Sequence, residues 1–130
     1  MDKEKLMEKA KIARNNAYAP YSKYYVGAAL LCENGNVYTG CNIENHGIMS
    51  ICAERVAFAK AISEGEKEFE SLAIYGGKNE QEIEHLLPCG YCRQFISEFV
   101  DKEFTIYTGN SNGEIVSYKM EELLPYSFKI

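Results

Sequence analysis

Several things are missing from this sequence, and each absence removes a class of function. There is no basic excess: 14 Lys and Arg stand against 19 Asp and Glu, a net charge of −5. Affinity for DNA or RNA comes mostly from Lys and Arg on phosphates, so no nucleic-acid partner is expected. No apolar run approaches the roughly 20 residues that cross a bilayer, so no membrane partner is expected. The charged opening, MDKEKLMEKAKIARNNA, has none of the apolar stretch of a secretory signal. Cysteines number five, an odd set that suits reduced thiols better than a disulfide framework. A cytoplasmic protein is expected. No repeat, low-complexity tract or linker interrupts the chain, so residues 1–130 are expected to form one domain with a core of its own.

The remaining pattern alternates helix and strand. Residues 2–17 carry Leu6, Ala10, Ala13 and Ala17 at helical spacing, with Asp2 as a cap. Residues 18–25, stopped by Pro20, read as a loop. VGAALLC (26–32) has strand length, and VYTGCNI (37–43) is its partner across Asn34-Gly35, a strong hairpin signal. After a loop at 44–50, residues 51–65 form a helix with Cys52 in its first turn and Gly65 at its C-cap. Residues 71–77 read as a short buried strand and 78–87 as a polar, acidic lead into PCGYC, of which the acidic stretch 78–84 is expected to be a solvated surface. A second such helix covers 92–100, strands cover 104–108 and 114–118, and a helical turn with a tail covers 119–128. The order α-β-β-α-β-α-β-β-α predicts an α/β fold, a mixed sheet with helices on its faces.

Three cysteines stand where chemistry is expected. Cys52 opens one helix; Cys89 and Cys92 open another, 37 positions on, with a strand between. Such a crossover can bring two helix N-termini side by side. Their partial positive charge and free N–H groups favour thiolates. Three thiolates make a soft, anionic pocket suited to one zinc ion per chain. Tetrahedral zinc with three protein ligands keeps a fourth position for water, and Glu54, two residues after Cys52, is placed to move that water's protons. Three thiolates leave zinc with a net negative charge and so acidify its water less than three imidazoles would. Arg55 and Arg93 adjoin the ligands and can offset this by hydrogen-bonding sulfur; Arg55 is the one expected to do so.

The motifs VGAAL, YTGCNIEN, CAER, PCGYCRQ and ELLPYSF, in that order, resemble the cytidine deaminase family of pyrimidine salvage in its short, single-domain form. The resemblance runs from about residue 13 to 128; a lone CxxC would be weak evidence, whereas the ordered set is specific. It implies a three-layer α/β/α cytidine deaminase-like fold with a mixed five-stranded sheet. It implies that Cys52, Cys89 and Cys92 bind zinc and that Glu54 shuttles protons, to ring N3 as C4 is attacked and then to the departing ammonia. It implies ribose contacts from Asn42 and Glu44, a place near the nucleoside for Tyr24, and support of the site by Gln94. Phe128 would stack on the base in a neighbouring subunit, within a homotetramer that shares its active sites. The implied reaction converts cytidine or 2′-deoxycytidine to uridine or 2′-deoxyuridine.

Two departures from the family pattern bear on substrate. The stretch between EN and CAE, His46 to Ile51, is one residue shorter than is usual, and His46 stands where small residues are usual. His46 is therefore a candidate substrate contact, and another aminopyrimidine nucleoside, such as a blasticidin-type or modified cytidine, is an alternative substrate. Tyr25 replaces a proline before VGAA. A reading from a different class is a non-catalytic, zinc-stabilised binding module. It would need a fourth protein ligand, with His85 and Cys41 as candidates. Otherwise Cys32 and Cys41 are expected as small buried thiols, His85 as a solvated loop residue, and Phe128, if not a substrate contact, as a core plug.

Overall fold

A computed structural model of the chain describes residues 1–46 and 49–130. Asp2 caps the first helix, α1 (Lys3–Arg14), by accepting from the Lys5 amide at 2.8 Å. The helix stops short of residue 17 because the Asn15 and Asn16 amides bond back to Ile12 and Ala13, a tightened last turn. Strands β1 (Tyr25–Cys32) and β2 (Val37–Cys41) follow, joined by the expected Asn34-Gly35 turn, where Gly35 has φ +92°. Then come α2 (Ala53–Ser63), β3 (Phe69–Gly77), a 3-10 turn at Glu80–Glu82, α3 (Gly90–Ser97), β4 (Thr105–Gly109), β5 (Ile115–Lys119) and a short α4 (Met120–Leu123). Residue 124 precedes Pro125, which disfavours helical geometry there, and α4 ends.

The strands form one sheet in the order β2-β1-β3-β4-β5, antiparallel except for the β3–β4 pair. That parallel pair is the mark of a crossover, and α3 is the crossing helix. Alternation along β1 divides the core. Ala28, Leu30 and Cys32 face a cluster with Ala57, Phe58 and Ala61 of α2, Cys92 and Ile96 of α3, and Met120 and Leu123 of α4. Ala29 and Leu31 face the other way, onto Leu6, Met7 and Ala10 of α1. The result is the expected three-layer α/β/α arrangement with a mixed five-stranded sheet.

Two glycines of the sequence motifs earn their places by close approach. A Cβ on Gly27 would stand 2.0 Å from the Ala10 carbonyl oxygen, so α1 lies directly on β1. A Cβ on Gly40 would stand 2.6 Å from the Ala53 carbonyl oxygen and the Ala57 nitrogen, so the first turns of α2 rest on β2. Some expectations need correction. The stretch 78–84 is not wholly solvated: Ile83 is 2% exposed and completes the α1 side of the core. Cys32 is buried as expected, but Cys41, at the end of edge strand β2, is half-buried. Strand β2 also ends at residue 41; Ile43 continues only as isolated bridges to Tyr18 and Ile51.

Candidate active site

Cys52 and Cys89 are not inside helices but at their N-caps, with extended backbones of ψ 152° and 166°. The Cys89 sulfur accepts from the Cys92 amide at 3.4 Å, the role an oxygen plays in an ordinary cap. That bond starts α3 two residues earlier than the hydrophobic pattern suggests. The two helix starts meet: the Cys52 and Cys89 sulfurs lie 3.8 Å apart, and all three sulfurs fall within 4.8 Å of one another. Cys92 is buried, Cys52 half-buried and Cys89 exposed, so the cluster opens outward on one side. Among the described residues no histidine, aspartate or glutamate joins this group. His85 is engaged elsewhere, its Nε2 lying 3.1 Å from the Glu114 carbonyl oxygen, so neither it nor Cys41 closes the site as a fourth ligand.

The electrostatics of the cluster ask for a cation. The Cys52 thiol is drawn down to about 5, first by its hydrogen bond with Cys92, then by Arg55 and Cys89, against the opposing effect of burial. Cys92 is pushed up by the same bond, by burial, and by the charge of Glu54. Of this pair Cys52 is the sulfur that ionises more readily and Cys92 the one that resists it. A dication would let all three sulfurs ionise, and three thiolates in a half-enclosed cup are a donor set that zinc accepts. The residues present therefore fit zinc.

Glu54 follows in the first turn of α2 and is 4% exposed. Burial lifts its carboxyl to about 7; the nearby Cys52 charge adds to this, while its own backbone N–H and Arg55 pull the other way. A carboxyl poised near neutrality can both take and give a proton. Arg55 sends Nη2 to the Cys52 sulfur at 3.7 Å, as expected of it. Its proton is held more tightly than usual because bonds to Cys92 and Cys52 outweigh burial. Arg93 turns away from the sulfurs and bonds the Pro88 and Leu123 carbonyls at 2.7 and 2.8 Å, tying α3 to its own approach and to α4. Gln94 sits half-buried on α3, its carbonyl accepting from Ser97 Oγ.

The expected sugar-side residues gather where β2 leaves the sheet. Asn42 accepts from the Val26 amide at 2.9 Å and donates to the Tyr24 carbonyl at 2.7 Å. Glu44 accepts from the Tyr21 and Ser22 amides at 3.0 and 3.2 Å and from the Ser22 hydroxyl. That hydroxyl first, then the two amides and Lys23, keep its carboxyl below the usual range. His46 Nδ1 lies 3.3 Å from the Tyr21 hydroxyl. The 18–24 and 42–46 segments are thus stitched together, with Tyr24 partly exposed between them. The shortened loop falls partly on Gly47 and Ile48, outside the described residues. Phe128 is 65% exposed in the tail beyond α4, which rules out a core plug. A cavity of about 750 Å³ lies between the end of α3 and that tail, lined by Val100, Met120, Leu124 and Tyr126, and includes none of the cysteines.

Sequence reasoning missed Tyr21 and Ser22, whose backbone and hydroxyl hold Glu44. It also missed Tyr91, whose ring lies under the Arg55 guanidinium at 4.2 Å. For Tyr91 a signal existed: it sits between two ligands in PCGYC. For the loop pair none did, since their partner is more than twenty positions away.

Comparison with known proteins accords with this geometry. Residues 1–108 match the family described as the cytidine and deoxycytidylate deaminase zinc-binding region. A cytidine deaminase of Sporosarcina psychrophila is 46% identical over 129 residues, covering 98% of this chain and 92% of its own length. The crystal structure of cytidine deaminase from Burkholderia pseudomallei superposes with a TM-score of 0.90 at 37% identity, covering 98% of this chain and 100% of that one. More distant, a blasticidin-S deaminase of Bacillus cereus is 31% identical over 112 residues, 82% of this chain and 79% of its own length. Three sulfurs gathered at two helix starts, a buried carboxyl beside them, and similarity running the length of the chain make it a member of the cytidine deaminase family.

Proposed function

We propose that this protein is a zinc-dependent hydrolase that converts cytidine or 2′-deoxycytidine, with water, to uridine or 2′-deoxyuridine and ammonia. The observation that carries this reading is the buried, near-neutral carboxyl of Glu54 in the turn that also presents Cys52 to Cys89 and Cys92. Cys52, Cys89 and Cys92 would hold the ion. Zinc bound there supplies Lewis acidity, the chemistry that lets water act as a nucleophile near neutral pH. Glu54 takes a proton from the attacking water and delivers it to ring N3 as a C4–O bond forms. It then takes the proton of the new C4 hydroxyl and passes it to the amino group; the C4–N bond breaks as the C4=O bond forms, and ammonia leaves. Asn42 and Glu44 orient the sugar. Each has capacity left after its bonds within the chain: Asn42 retains one N–H and one lone pair, and the Glu44 carboxylate, which takes two amides and the Ser22 hydroxyl, retains about one lone-pair site on Oε2. Tyr24, Gln94 and His46 complete the surroundings, His46 through the loop that Tyr21 steadies.

Cytidine is preferred over a blasticidin-type substrate because identity to the cytidine deaminase relative is 46% over 98% of the chain, against 31% over 82% for the blasticidin-S deaminase. The same reading includes a cytoplasmic homotetramer in which Phe128 reaches a neighbouring subunit's site. Its support is the apolar surface left uncovered in one chain, including Tyr18, Ile43, Met49 and Phe128. Among the described residues no helix is long and apolar enough to cross a membrane. An ammonia-release assay on zinc-loaded protein with cytidine, deoxycytidine, 5-methylcytidine, blasticidin S, cytosine and adenosine tests the reaction. Turnover led by cytidine or deoxycytidine is expected. Turnover led by blasticidin S, or none with zinc at one per chain, would overturn it. Sedimentation equilibrium tests the assembly; a monomer at assay concentration would remove the shared site.

A further inference from the structure

Arg55 is awkwardly placed for a residue that must stay beside a sulfur. It lies in the first turn of α2, where the helix dipole disfavours a positive charge. Its side chain is long and flexible, and its bonds run only to sulfurs, to Cys52 at 3.7 Å and to Cys92, which are weak acceptors and so a weak tether. Its Nε is buried with no hydrogen-bond partner, so that end of the guanidinium adds nothing to its hold. What does face it is Tyr91. The Arg55 Cζ lies 4.2 Å from the centroid of the Tyr91 ring, well inside the reach of a cation–π contact. Tyr91 is 66% exposed, so burial in a core does not account for its position. It occupies the first turn of α3 between Cys89 and Cys92, and Arg55 occupies the first turn of α2 three residues after Cys52. The stack therefore bridges the same two helix starts that the sulfurs bridge.

We propose that Tyr91 is a positioning residue: its ring face holds the Arg55 guanidinium against the Cys52 sulfur, and so limits how strongly that sulfur donates to zinc. A hydrogen-bonded thiolate is a poorer electron donor, which leaves the metal the stronger Lewis acid. Tyr91 touches neither a sulfur nor the reacting atoms in this scheme; it acts through Arg55. The inference rests on the deaminase reading for its effect on rate, but the stack and the sulfur's donation can be read without turnover.

The test compares wild type with Tyr91→Phe, which keeps the ring face, and Tyr91→Leu, which keeps the bulk without it. Tyr91→Leu should lower kcat for cytidine about three- to tenfold with KM unchanged, the range of one partly exposed cation–π contact. Tyr91→Phe should restore it. In cobalt-substituted protein the thiolate-to-metal charge-transfer band should move to lower energy in Tyr91→Leu and stay in place in Tyr91→Phe. In proton NMR the Arg55 side-chain resonances should show ring-current displacement in wild type and Tyr91→Phe but not in Tyr91→Leu. If Tyr91→Leu leaves the band unmoved, the proposal falls. If Tyr91→Phe behaves like Tyr91→Leu, the hydroxyl and not the ring acts, and the proposal falls. A raised KM at unchanged kcat would make Tyr91 a substrate contact instead. Should wild type fail to deaminate cytidine, the functional reading fails, while the band and the resonances still decide this inference.

Discussion

Helix α2 ends in two very different ways. At its start, Cys52 makes no side-chain capping bond, Glu54 is buried with its carboxyl lifted to about 7, and Arg55 keeps an unpaired buried Nε. At its finish, the groups are paired. Gly65, at φ +96°, bonds back to Ile62, and the Glu66 amide to Ala61, closing the helix. The Glu66 carboxylate then accepts from Asn34 and Asn36 at 2.9 and 2.8 Å and from the Tyr38 hydroxyl at 2.8 Å, fastening the helix end to the β1–β2 hairpin. Asn36 first, then Tyr38, hold Glu66 below its ordinary range, while burial lifts Glu54 above it. One end spends its polar groups on holding the fold. The other end gathers thiols and a buried carboxyl, and a carboxyl near neutrality is what a proton shuttle requires.

This contrast can be broken from either end. The largest effect is expected from Cys89→Ser: zinc content by elemental analysis should fall toward zero and deamination to background, and zinc at one per chain would refute the ligand set. Next, Glu54→Gln should retain zinc and fold but lose about 10²- to 10⁴-fold in kcat, the usual contribution of a general acid–base. Near-normal turnover would move the shuttle elsewhere. Gly40→Ala comes third. The added methyl meets the Ala53 and Ala57 backbones at 2.6 Å, so it should destabilise the protein by about 1–3 kcal/mol in chemical denaturation and reduce activity by displacing Cys52.

The smallest effect is expected at the paired end. Glu66→Gln should leave kcat and KM unchanged and slightly lower the melting temperature at neutral pH. Because the Glu66 value is depressed in the folded chain, its contribution is present above about 4.5, the ordinary value, and fades as pH falls through the folded one. The gap between Glu66→Gln and wild type should therefore close in acid. A gap constant from pH 7 to 3 would mean that the charge is irrelevant there.

Much of this was legible in one dimension. The strands' existence and order and the Asn34-Gly35 turn follow from apolar run length and turn chemistry, which are local. The clustering of Cys52, Cys89 and Cys92 and the place of Glu54 beside them were legible because zinc-assisted proton transfer would demand those residue types at those spacings. Element ends were less so. Cys52 reads as helical by position, yet its backbone is extended, and α3 begins early because a sulfur serves as its cap. Ile83 hides in an acidic stretch, and only the seat left beside Leu6 and Met7 buries it.

By itself, then, the amino-acid order determined the fold class, the three sulfurs and the carboxyl, since each depends on residue type and short-range spacing. The folded chain decided the rest. It turned Arg93 to the Pro88 and Leu123 carbonyls, stacked Tyr91 beneath Arg55, knitted Glu44 to Tyr21 and Ser22, and left Phe128 exposed. The Tyr91 stack and the bonds to Glu44 join segments far apart in the chain, and their geometry exists only once the sheet has set those segments against each other.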